Sequence, residues 1–176
     1  GFGTRLYPAT KAIKKDFLPV LDKDGLFKPV IMMLLEQLVQ SGIEEVCLII
    51  GREEQKLYES FFAPMSKENY DKLPEDKQKY EDNLVKIGRM IHYAYQDERR
   101  GFGHAVYQSR DFAEGEPVLL LLGDMIYESY IVKTCSSQLI DCYEAYGLPV
   151  VSMHEVPKEQ VVHYGIMHGV WESPKE

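Results

Sequence analysis

The chain has 176 residues, enough for one domain with a sizeable core. Its residues are 45% hydrophobic and 27% charged, and the formal net charge is -8. That balance excludes a general nucleic-acid binder, which needs a clustered positive surface, and no apolar run reaches the roughly 18 residues of a membrane span.

The first residues are Gly1-Phe2-Gly3-Thr4-Arg5, with Lys11, Lys14 and Lys15 close behind. A Gly-x-Gly turn lets backbone N–H groups approach a phosphate with no Cβ in the way. Arg and Lys add side-chain donors to the same anion. In an acidic chain, such a local basic cluster fits a small anionic ligand. From Pro29 to Ser41, Val30, Met33, Leu34 and Leu38 fall at helical spacing and Gly42 closes the segment. Val46–Ile50 reads as a buried strand, and Gln55–Phe62 as a short helix. Residues 52–86 break the rhythm: both charge signs are dense there, with Pro64 and Pro74 interrupting. They read as a charged helical excursion on the surface, with a lid or a subunit contact as the sharper alternative. Ile91, Tyr93 and Tyr95 alternate as in a strand, and residues 103–110 open a helix. Val118–Leu122 is an aliphatic strand by composition. Leu139, Ile140, Tyr143 and Tyr146 mark a helix ended by Gly147, followed by a strand over Val150–Met153. Of the three cysteines, Cys135 and Cys142 form no C-x-x-C pair with each other or with Cys47, which lies in an apolar run as a small hydrophobe. A reducing, cytoplasmic setting is the expectation.

Apolar strands separated by helices predict an α/β fold: an open, doubly wound, mostly parallel sheet with helices on both faces. Such sheets bind ligands beyond the carboxyl ends of their strands. Four constellations matter there. Gly1, Gly3, Thr4 and Arg5, followed by Lys15, suit a polyphosphate whose charge must be neutralised as a bond breaks, the alternative being a solvated turn. Asp124 follows the run Leu121-Leu122-Gly123 and either caps the next turn or holds Mg²⁺, the phosphate loop favouring the metal. Gln96 offers an acceptor and a donor to a pyrimidine edge, and Gly101 lets backbone lie close to it; a plain turn into a helix is the alternative. His104 reads as a helix-start residue. Gly165, in His163-Tyr164-Gly165-Ile166, marks either close backbone approach to a ligand or a bulge. No Gly-x-Ser-x-Gly elbow supports nucleophilic hydrolysis.

These pieces resemble the sugar-1-phosphate nucleotidylyltransferases, and among them the bacterial UTP–glucose-1-phosphate uridylyltransferases. The resemblance is carried by residues 1–19, by Gly101-Phe102-Gly103-His104-Ala105-Val106, by Leu122-Gly123-Asp124, and by Glu155-Val156-Pro157 with Tyr164-Gly165, in family order. It implies a Rossmann-like nucleotidyltransferase core over residues 1–176 that passes a uridylyl group from UTP to glucose 1-phosphate, with no covalent enzyme intermediate. It also implies roles. Arg5 and Lys15 would be catalytic, and Gly1, Gly3, Thr4, Gln96 and Gly101 would bind the nucleotide. Gly165 would meet the sugar, and Asp124 the Mg²⁺. The implied partners are these small molecules, neither nucleic acid nor membrane, with a homo-oligomer compatible. A thymidylyltransferase, or a regulatory paralogue that binds nucleotide sugars without turnover, stands as the alternative. Two departures stand out: Lys14 where the family has proline, and a longer turn over residues 22–27. The family's first strand and its later sugar-binding part are not found in residues 1–176, so the expectation is a core incomplete at both ends and inactive by itself.

Overall fold

The computed structural model describes residues 6–170, so the calls on Gly1, Gly3, Thr4 and Arg5 lie outside the described residues. Strands β1 (Pro19–Leu21) and β2 (Phe27–Pro29) pair antiparallel across a turn in which Gly25 takes φ +79°. Pro29 leads directly into α1 (Val30–Gln40), as a ring with fixed φ permits before a first helical turn. The helix buries Val30, Ile31, Met32, Leu34, Leu35 and Leu38. Gly42, at φ +82°, then reverses the chain.

Strand β3 (Val46–Ile50) pairs in parallel with β4 (Ile91–Tyr95), from Val46 opposite Ile91 to Ile50 opposite Tyr95. Parallel neighbours need a crossover connection. Residues 51–90 are that connection, containing α2 (Gln55–Phe62), α3 (Lys67–Tyr70) and α4 (Glu75–Gly88). The charged segment that broke the sequence rhythm is therefore the middle of a βαβ unit. Its ion pairs Glu68–Lys72 and Glu75–Lys79 face solvent, while Tyr58, Phe62, Leu84 and Ile87 join Met32, Leu35 and Ile50 in the core. The two helices meet closely at Gly88, where a Cβ would lie 2.5 Å from the Cβ of Phe62. Cys47 is half-buried in β3, and burial pushes its thiol above the usual range, as for a structural cysteine.

Beyond β4 come α5 (Phe102–Tyr107), α6 (Arg110–Ala113) and α7 (Cys135–Tyr146). Thr134 caps α7 by accepting from the Ser137 N–H at 3.0 Å, and Gly147 ends it at φ +62°. Two expected strands do not form: residues 118–122 and 150–153 have no ladder partner among the described residues. Leu119 and Leu121 nevertheless pack on the core while Val118, Leu120 and Leu122 face out, the period-two alternation of a strand. Composition supplied the pleat; a ladder also needs a second segment about 4.8 Å away. No helix among the described residues is long and apolar enough to cross a membrane.

Candidate functional site

The short 3-10 turn Lys15–Phe17 is anchored by its last residue. The Phe17 ring meets Tyr58 at 5.2 Å and Phe61 at 5.3 Å, both edge-on. With Phe17 fixed, the two preceding lysines have separate fates. Lys14 is taken up by the crossover: its Nζ lies 3.1 Å from Glu54 and 3.3 Å from Asp16, bonds the Tyr58 hydroxyl, and sits 4.4 Å over the Tyr58 ring. That hydroxyl donates to Asp16. Burial, reinforced by the Asp16 charge, pushes the Tyr58 phenol far above its usual range, so it stays a donor. Lys15 pairs instead with Asp124. Their side chains are 40% and 42% exposed, so the pair is screened and contributes at most about 1 kcal/mol. Such a pair opens readily for an anion at one end and a cation at the other.

The second cluster lies at the carboxyl ends of β3 and β4. The Gln96 N–H extends the ladder by donating to Ile50 O at 2.9 Å. Its side-chain Nε2 donates to the carbonyl of Gly101 at 3.0 Å and lies 3.1 Å from His104 Nδ1. Gly101, at φ +100° and ψ 178°, occupies backbone space that glycine alone takes easily, and its carbonyl also accepts from Ala105 N–H at the start of α5. Beside it, Arg52 pairs with Asp97 at 2.9 Å and lies 4.3 Å over the Tyr95 ring. Glu54 ties the clusters together. Its Oε2 accepts from the Gly51 N–H, just beyond β3, at 3.0 Å, and faces Lys14 Nζ at 3.1 Å.

The structure thus brings together Lys15 with Asp124, and Gln96 with Gly101. Gly165 stands apart, in an exposed irregular stretch after the turn Lys158–His163, with nothing within 4 Å of where its Cβ would be. Sequence reasoning missed the Lys14–Glu54–Tyr58 clasp, the contact of His104 with Gln96, and Lys28. Lys28 is a buried ammonium held by Asp22, Asp24 and Glu36 at 2.7, 2.6 and 2.8 Å. Among the described residues, no group of three or more His, Cys, Asp or Glu is placed to hold a metal ion alone.

The sequence pattern of the nucleotidyl transferase family matches residues 1–170. The chain belongs to that family. The chain is 36% identical over 174 residues to UTP–glucose-1-phosphate uridylyltransferase 2 of Staphylococcus saprophyticus, covering 95% of this chain and 56% of that protein. It is 34% identical over 172 residues to the Bacillus subtilis UTP–glucose-1-phosphate uridylyltransferase, covering 95% and 55%. The chain therefore spans little more than half the length of these relatives. Among solved structures, an apo UDP-glucose pyrophosphorylase superposes with TM-score 0.83 at 27% identity, covering 98% of this chain and 62% of that one. A UDP-glucose pyrophosphorylase complexed with UDP-glucose superposes with TM-score 0.78 at 28% identity, covering 98% and 61%. The α/β, Rossmann-like fold read from the sequence is the fold of these neighbours.

Proposed function

We propose that the protein carrying this chain transfers a uridylyl group from UTP to glucose 1-phosphate, releasing pyrophosphate and UDP-glucose. The observation that carries the reading is the half-exposed Lys15–Asp124 pair, an ammonium and a carboxylate that a triphosphate and its cation would replace. The names of the relatives support the choice of substrates. In the proposed step, a phosphate oxygen of the sugar phosphate forms a bond to the α-phosphorus of UTP. The bond from that phosphorus to the bridging oxygen breaks, and its electron pair leaves on pyrophosphate. Lys15, with Arg5, holds the negative charge gathering on the leaving group, so the chain works mainly by positioning and charge neutralisation. Backbone at Gly1, Gly3 and Thr4 lines the nucleotide, Gln96 and Gly101 contact the uracil, and Gly165 approaches the glucosyl hydroxyls.

Asp124 fits one ligand position of Mg²⁺, an ion that takes one or two carboxylates and completes its shell from phosphate oxygens and waters. Bound there, the ion would neutralise part of the triphosphate charge. A cytoplasmic setting and small-molecule partners, with assembly into a homo-oligomer permitted, complete the proposal.

The test is pyrophosphate release by the full-length protein with glucose 1-phosphate and each nucleoside triphosphate in turn. UTP should be the preferred donor, and Lys15→Ala should lower kcat about 100- to 1,000-fold, the effect of removing one transition-state charge contact. Lys14→Ala should act mainly on stability. Preference for dTTP would replace the base assignment, and UDP-glucose binding without any pyrophosphate release would favour a regulatory binding protein.

A further inference from the structure

An amide can read a base only if it is held one way round. The orientation of Gln96 follows from its partners. Its amide atom 3.0 Å from Gly101 O must be the NH₂, because a carbonyl oxygen only accepts. One hydrogen of that NH₂ goes to Gly101 O, and the other faces His104 Nδ1 at 3.1 Å. The Gln96 Oε1 has no hydrogen bond among the described residues and is the atom left for a ligand. On the other side of the ring, Gln108 Nε2 lies 3.2 Å from His104 Nε2 and donates to the carbonyl of His104 itself at 3.0 Å. A neutral imidazole has one acceptor nitrogen. Each amide also has a carbonyl acceptor, Gly101 O for Gln96 and His104 O for Gln108, and in the tautomer with the ring proton on Nε2 it is Nδ1 that accepts, from Gln96.

We propose that His104 is a positioning residue that locks the Gln96 amide with Oε1 toward the nucleotide base, so that the site selects a pyrimidine bearing an N3–H. The inference rests on the assignment of Gln96 to the base. Uracil and thymine offer a donor at N3, which Oε1 accepts. Cytosine offers an acceptor there, and two acceptors face each other unpaired. Turned by 180°, the same amide would present its NH₂ and favour cytosine. The choice between uracil and cytosine therefore belongs to Gln96, at the end of β4, together with its partners Gly101 O and His104 on α5, and not to Gln96 alone. A donor that is built to be satisfied elsewhere is also a rejection device, since it has no hydrogen left to offer the wrong base.

The experiment measures affinities of the full-length protein for UDP-glucose and CDP-glucose by calorimetry, alongside kcat/KM for UTP and CTP. In His104→Ala, the preference for the uridine ligand should fall about 3- to 10-fold, the worth of one neutral hydrogen bond. His104→Leu, which fills the space without an acceptor, should lose the same preference. His104→Asn, whose Oδ1 can accept where Nδ1 did, should stay within about twofold of the wild type. If the wild type prefers the uridine ligand and both His104→Ala and His104→Leu keep that preference, the positioning role is overturned while the assignment of Gln96 stands. If the wild type shows no preference between the two ligands, or binds neither, both assignments fall.

Discussion

Lys28 is 4% exposed and faces three carboxylates, Asp22, Asp24 and Glu36. Burial by itself would lower its pKa, but the hydrogen bonds it donates to those carboxylates outweigh burial and hold the ammonium far above the usual lysine range. In return, the hydrogen bond from Lys28 holds the Asp24 carboxyl below the usual range. A lowered carboxylate pKa stabilises the fold above the unfolded-state value, and the contribution is lost as pH falls below about 4. Lys28→Met would leave three carboxylates crowded without a cation, at a cost of about 3–5 kcal/mol. The sign of the pH dependence should then reverse: urea melts of the variant should show recovery on going from pH 7 to pH 5, where the wild type does not gain. A variant that melts like wild type at pH 7 would refute the cluster. None of this was legible locally. Asp22-Lys23-Asp24-Gly25 reads as part of a longer turn, and the partly buried partner Glu36 sits eight residues beyond Lys28, well inside α1. By contrast, Lys15 and Asp124, which the structure pairs, were both singled out from sequence, because charge beside a glycine turn or after an aliphatic run is a local signal.

At the level of elements, α1, α2, α5 and α7 were all read from sequence, and α1 and α7 are each closed by a glycine with positive φ. The rest of the crossover, α3 and α4, read only as a charged excursion, because its core contacts are few and interrupted. Tyr58 and Phe62 lie one turn apart on α2 and Leu84 and Ile87 one turn apart on α4, within a stretch dense in both charge signs. Their meeting point makes a sharp test. Gly88→Ala would gain up to about 1 kcal/mol of helix propensity. Against that, its Cβ would fall 2.5 Å from Phe62 Cβ, an atom close to the backbone of α2 that cannot swing aside. Overpacking of this kind costs about 1–3 kcal/mol, so the clash should win and the urea midpoint should drop. A midpoint at or above wild type would show that the helices separate freely. The strand expected over residues 118–122 failed for the opposite reason: the residues alternate correctly, but pairing is a property of two segments.

Across the whole molecule, the residues that compose the candidate site arise from separate parts of the chain and are joined by very few contacts. Glu54 spans them, accepting from Gly51 at the mouth of the parallel pair and holding Lys14, next to Lys15. The order of the motifs along the sequence was enough to anticipate both clusters, since open α/β sheets collect ligand-binding residues beyond their carboxyl ends. It could not show the link between them, because Lys14 and Glu54 are forty residues apart and belong to no common motif. The loop and the crossover are, through this link, one mechanical unit.

That clasp stands where the resembled family carries proline. Lys14 has φ -60° and ψ 141°, which a proline ring could adopt unchanged. A ring restrains the backbone at any ionic strength, whereas ion pairs restrain it only as far as screening allows, with a Debye length of about 8 Å at physiological salt and about 3 Å at 1 M. The stiffness of the segment around Lys14 has thus become a function of the solution. The KM for the nucleotide should climb more steeply with added salt in the native protein than in a Lys14→Pro variant; parallel salt profiles for the two would mean that the clasp restrains nothing.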